Sequence, residues 1–147
     1  MKMSGMDKVN EKMVKDSVTV LFVDDDQVLL DSMQHRFYDM GYRAVIASNG
    51  EEALEMVRRF PVDVAVLDVT MPGMDGFKLL KELRAIVPDL PSLFLTGRQD
   101  RETMLAALKL KSNCLVEKPC TPQELDSHIK RLLLSVGPKR TTTKQTD

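Results

Sequence analysis

Val18-Thr-Val-Leu-Phe-Val23 runs straight into Asp24-Asp25-Asp26, and this stretch decides the architecture. A run rich in β-branched and aromatic side chains reads as a strand, and a carboxylate triplet does not belong inside one. The acids therefore sit just past the strand's carboxyl end. The pattern recurs: Val62-Asp-Val-Ala-Val-Leu67 ends in Asp68, Pro91-Ser-Leu-Phe-Leu95 in Thr96, and Cys114-Leu-Val-Glu117 in Lys118-Pro119. In an open parallel sheet, side chains just beyond the carboxyl ends of neighbouring strands face one crevice. Carboxylates, a hydroxyl and an ammonium gathered there point to magnesium-assisted phosphate chemistry.

Amphipathic stretches fill the gaps between these runs, the pattern of a doubly wound parallel α/β sheet with helices on both faces. The first helix is expected over Gln27 to Met40, with Val28, Leu29, Met33, Phe37 and Met40 inward and Gly41 as its stop. Arg43-Ala-Val-Ile-Ala47 is the next strand. Helices follow over Glu51 to Phe60, halted by Pro61, and over Phe77 to Ile86, with Phe77, Leu80 and Leu83 inward. A fourth takes Arg101 to Leu110 through Met104, Leu105 and Leu108. The last has the clearest start, because Thr121-Pro122-Gln123-Glu124 supplies an N-cap hydroxyl, a first-turn proline and a capping-box glutamate. It should run to about Val136, before Gly137-Pro138. Residues 17–136 form the expected domain, with a flexible segment at 1–16 and a polar, disordered tail at 137–147.

A length of 147 residues suits one domain with a real core. The net charge of −1, with signs mixed throughout, offers no basic face for nucleic acid or anionic lipid. Cys114 and Cys120 lack a histidine pair at zinc-like spacing and read as reduced, packed thiols. No run approaches the roughly 20 apolar residues of a membrane span, and the amino-terminal segment lacks the apolar core of a signal peptide. The chain reads as soluble and cytoplasmic.

The value of Asp24, Asp25 and Asp68 lies in their convergence. Two carboxylates about 4 Å apart repel by roughly 4 kcal/mol at an effective dielectric of 20, a cost that a dication removes. Oxygen-only ligands favour magnesium. Asp26 reads instead as a helix cap. Asp68 ends a buried strand and leads into Met71-Pro-Gly-Met-Asp-Gly76, a loop signal, so it is a candidate nucleophile as well as a ligand. Lys118 closes a short apolar strand, where an ammonium can neutralise charge and hold a phosphate oxygen.

Val23-Asp24-Asp25-Asp26, Leu67-Asp68 through Asp75-Gly76, Phe94-Leu-Thr96-Gly97 and Glu117-Lys118-Pro119, in that order, resemble the receiver domain of two-component response regulators, in a single-domain form like the chemotaxis regulators. The resemblance covers roughly Ser17 to Ser135. It implies a flavodoxin-like sheet of five parallel strands in the order 2-1-3-4-5 flanked by five helices. It also implies that Asp68 accepts a phosphoryl group from a sensor histidine kinase or a phosphotransfer protein. Magnesium, or manganese in its place, would be held by Asp24, Asp25, Asp68 and the Thr70 carbonyl. Lys118 would contact the phosphoryl group, Thr96 would turn toward it, and the Lys118–Pro119 peptide would be cis. Thr70 and Arg98 occupy the positions that tune phosphate lifetime. The fourth helix, last strand and last helix would pass the signal to a protein effector, with no reaction beyond self-catalysed phosphorylation and dephosphorylation.

Leu115 stands where receivers usually carry the aromatic switch residue, Cys120 where phenylalanine is frequent, and Lys111-Ser112 where Gly-Ala is common. These departures concern how the signal leaves the site rather than the phosphoryl chemistry. Two rivals stand beside this reading. One is a phosphate-independent scaffold on the same fold. The other is a magnesium-dependent aspartyl-phosphate phosphohydrolase, which normally needs a second aspartate where this chain has Thr70.

Overall fold

Strand β1 (Thr19–Val23) is buried along its whole length, because it has a neighbouring strand on each side and helices on both faces. The computed structural model describes residues 18–71, 73–97, 101–110 and 113–136, so the expectations for 1–16 and 137–147 lie outside the described residues. The elements that follow are α1 (Gln27–Asp39), β2 (Arg43–Ala47), α2 (Gly50–Arg59), β3 (Val64–Asp68), β4 (Thr70–Met71) and β5 (Met74–Asp75). They continue with α3 (Gly76–Ile86), β6 (Ser92–Thr96), α4 (Arg101–Leu108), β7 (Asn113–Glu117) and α5 (Pro122–Val136). The main sheet is five parallel strands in the order β2-β1-β3-β6-β7, which is 2-1-3-4-5 when only its own strands are counted.

Alternation along each strand divides the core into two layers. Val20 and Phe22 of β1, Val64 and Val66 of β3, and Leu93 and Leu95 of β6 face Leu30, Met33 and Phe37 of α1 and Leu125, Ile129 and Leu132 of α5. Leu21, Val23, Ala65, Leu67 and Phe94 face the other way, onto Ala53 and Val57 of α2 and Leu79, Leu80 and Leu83 of α3. The central strands are therefore apolar on both sides, as buried parallel strands are.

The caps follow the sequence closely. Asp26 Oδ1 accepts from Leu29 N at 3.2 Å, Asn49 from Glu52 N at 2.8 Å and Asp75 from Lys78 N at 2.7 Å. The capping box of α5 closes in both directions, Thr121 N to Glu124 at 2.8 Å and Glu124 N to the Thr121 hydroxyl at 3.1 Å. Gly41 takes a positive φ of 96° behind α1, a conformation glycine adopts without a Cβ clash.

Two expectations, the inward Val28 and the end of α4, need correction. Val28 is 78% exposed, because α1 buries the 30, 33, 37 stripe and Val28 lies about 200° around the helix from Leu30. Met104, Leu105 and Leu108 face outward from α4, and Ala107 is the buried residue among its described side chains. That helix also ends at Leu108 rather than Leu110, where Lys109 N and Leu110 N tighten onto the carbonyls of Ala106 and Ala107. The loop after Asp68 adds a two-stranded antiparallel ladder, pairing Thr70 with Asp75 and Met71 with Met74.

Candidate functional site

The sheet gathers the strand-end residues as its topology requires. Asp24 follows β1, Asp68 ends β3, Thr96 ends β6 and Lys118 follows β7, on four strands adjacent in space. Asp24, Asp68 and Thr96 are buried, whereas Asp25 is exposed at the mouth. Carboxylate oxygens of Asp24, Asp25 and Asp68 all lie within 4.8 Å of one another. Asp24 is fixed from two sides, its amide donating to the Ala47 carbonyl at 3.2 Å and its Oδ1 accepting from Asp26 N at 3.0 Å. Asp26 turns away to cap α1, as expected of the third acid.

Lys118 Nζ stands 3.4 Å from Asp24 Oδ2 and 3.5 Å from Asp68 Oδ1. Both separations exceed the roughly 2.8 Å of a closed charge-assisted bond, so the ammonium is shared rather than committed to either acid. Burial pulls its pKa down, but the nearby charges of Asp24 and Asp68 outweigh that, leaving it above the ordinary lysine value. Its ammonium stands between two buried carboxylates. The Lys118 amide donates to the Thr96 carbonyl at 2.8 Å, tying the ends of β6 and β7, and the Lys118–Pro119 peptide is cis.

Thr70 lies in β4, two residues beyond Asp68. Leu115 is half-buried, in register with Phe94 and packed against the α2–α3 layer. Arg98 lies outside the described residues. Cys114 and Cys120 are free thiols, as read.

Gly76 is a supporting residue that the sequence reading left inside the loop signal. Its amide donates to Val69 O at 2.8 Å, and a Cβ there would fall on the Asp68 carbonyl oxygen and lie 3.2 Å from Val69 Cα. Only glycine lets the start of α3 close against the backbone that carries Asp68. The available signal was a glycine directly behind the capping Asp75.

Comparison with known proteins agrees with this geometry. A family model described as the response regulator receiver domain matches residues 20–130. Response regulator MprA of Mycobacterium leprae is 38% identical over 119 residues, covering 81% of this chain and 52% of that protein. The probable transcriptional regulator ycf27 of Cyanidium caldarium is 31% identical over 140 residues, covering 95% of this chain and 56% of that protein. The chain spans about half the length of these curated relatives. Among solved structures, chemotaxis protein CheY4 of Vibrio cholerae has a TM-score of 0.74 at 30% identity, over 79% of this chain and 98% of that one. A CheY-like receiver domain protein from Methanospirillum hungatei JF-1 has a TM-score of 0.74 at 28% identity, over 80% and 94%. The matched span takes in every strand end of the acidic crevice, and the chain belongs to the response regulator receiver domain family of two-component signal transduction.

Proposed function

We propose that Asp68 is the phosphoacceptor of a signalling module that takes its phosphoryl group from the phosphohistidine of a sensor kinase or phosphotransfer protein. The observation that carries this is the Lys118 ammonium held between Asp24 and Asp68 beside the carboxylate trio. A carboxylate oxygen of Asp68 attacks phosphorus, a P–O bond forms, and the P–N bond breaks. The imidazole leaves with the electron pair and is neutralised by a proton. Lys118 holds a phosphoryl oxygen as charge moves onto it, and the Thr96 hydroxyl donates to another.

Asp24, Asp25 and Asp68 are the residues that would hold magnesium or manganese, with the Thr70 carbonyl completing the protein ligands. They suit such an ion because they are oxygen-only donors of one sign drawn together, two of them nearly buried. When bound, the ion supplies positive charge to the phosphoryl oxygens and orients them.

In this reading the chain acts in the cytoplasm and catalyses only its own phosphorylation and dephosphorylation. The signal passes, through altered protein–protein contacts, to a protein effector that docks on the face formed by α4, β7 and α5. No helix among the described residues is long and apolar enough to cross a membrane. Incubation with acetyl phosphate and magnesium should add one phosphoryl group to the intact mass as a base-labile acyl phosphate. Asp68→Asn should abolish it, and stoichiometric labelling of that variant would move the nucleophile elsewhere.

A further inference from the structure

Tyr42 lies in the turn between α1 and β2, on the α1–α5 side of the sheet, and is 3% exposed. Its ring packs on Phe37 of α1 at 5.2 Å between centroids, and Phe37 packs in turn on Phe22 of β1 at 4.9 Å. Its amide donates to the Phe37 carbonyl at 2.9 Å. Its hydroxyl donates to Asp126 Oδ1 on α5, a partner 84 positions away. The other oxygen of Asp126 meets Lys130 Nζ at 3.2 Å, so this largely buried carboxylate is engaged on both sides. A phenol held against a carboxylate inside an aromatic stack connects the first crossover of the fold to its last helix.

The two helices that would carry the signal are anchored unequally. Helix α5 buries Leu125, Ile129 and Leu132 and receives Tyr42 at Asp126. Helix α4, its partner on the other side of β7, buries Ala107 among its described side chains and leaves Leu108 79% exposed. An element with few buried apolar groups opens and shifts at low free-energy cost. One with a buried hydrogen-bonded anchor does not.

We propose that the Tyr42–Asp126 hydrogen bond is a latch that holds α5 against α1, so that phosphorylation repositions α4 while α5 stays fixed. The latch makes the output one-sided. A phosphate at Asp68 can bias only an element with two accessible arrangements, and the latch removes α5 from that set. Loss of the phenol hydroxyl turns α5 into a second responding element.

The one-sided response rests on Asp68 being the phosphoacceptor; the anchoring itself does not, and the test separates them. Amide hydrogen exchange is followed on the full chain with and without magnesium and beryllofluoride, a phosphoryl mimic. In the wild type, exchange over 101–110 should change by about tenfold and over 122–136 by less than about twofold. In Tyr42→Phe, which keeps the ring packing, exchange over 122–136 should rise by about tenfold without the mimic and should also respond to it. Asp126→Asn, which keeps an acceptor oxygen for the phenol, should stay near the wild type, whereas Asp126→Ala should behave like Tyr42→Phe. An α5 that responds as strongly as α4 in the wild type overturns the latch. So does a Tyr42→Phe protein whose α5 exchanges at the wild-type rate without the mimic. Failure of the mimic to bind would count against the phosphoacceptor reading, and the exchange rates without mimic would still judge the anchor.

Discussion

Asp25 and Asp26 are adjacent in the chain and serve different ends. Asp25 joins Asp24 and Asp68 in the carboxylate trio, whereas Asp26 spends its side chain on Leu29 N at the start of α1. Asp25→Asn should therefore weaken magnesium binding by about tenfold or more, since it removes a full charge from the site. Asp26→Ala should leave that affinity unchanged and lower unfolding stability by about 1 kcal/mol, the usual worth of an N-cap. Titration calorimetry and urea unfolding measure the two effects, and equal losses of metal affinity would show that the acids are misassigned. This division was legible in the sequence because a cap must be the last polar residue before a helix. The trio was legible only as a convergence of separate strand ends, since no single acid in it carries a local signature of a ligand. Val28 was misread for the opposite reason. One apolar residue near a helix start satisfies a periodic pattern by chance, and the true stripe, set by Leu30, Met33 and Phe37, lies elsewhere on the cylinder.

Elements are where backbone proximity, which a sequence does not display, decides the outcome. The start of α3 closes on β3 through Gly76, whose position leaves no room for a methyl group beside the Asp68 carbonyl. Gly76→Ala should lower stability by about 1–3 kcal/mol, the range for forced overpacking, and slow acyl phosphate formation as the Asp68 backbone retreats. Gly97→Ala is the matching control, because an added Cβ there meets nothing within 4 Å and stability should be nearly unchanged. Thermal unfolding of the two variants side by side gives the comparison, and equal destabilisation would remove the steric explanation. Strand positions and caps were readable because alternation and N-cap chemistry are local. The short β4–β5 ladder was not, since two residues on each side carry no periodicity. Nor was the outward face of α4, whose Met104, Leu105 and Leu108 stripe looks like a core stripe until the neighbouring elements are in place.

Contacts across the whole molecule were the least legible, because nothing near Tyr42 announces a partner 84 residues on. The strand order itself came from resemblance to a family rather than from any local pattern. Tyr42 gives a pH test of the assembled fold. Burial first, and then the hydrogen bond to Asp126 and that residue's negative charge, push the phenol well above its ordinary value. A group whose folded pKa is raised gives its full contribution to stability below its unfolded pKa, near 10 for tyrosine, and loses it as pH climbs beyond that value. The stability advantage of the wild type over Tyr42→Phe should therefore be constant from neutral pH to about 10 and narrow above it. Urea midpoints across that range read the gap, and a gap that stays constant through about pH 11 would mean that the phenol is not held protonated by the fold. The parallel sheet also settles where attachments can go. Strand β1 enters at the floor of the molecule, and α5 runs from the roof, beside Lys118, back down to Val136. Both described ends of the domain thus open on the floor, about the length of a strand, roughly 16 Å, from the acidic crevice. A module joined directly at either described end attaches on the face opposite the acidic crevice, like a cartridge whose working face stays unobstructed.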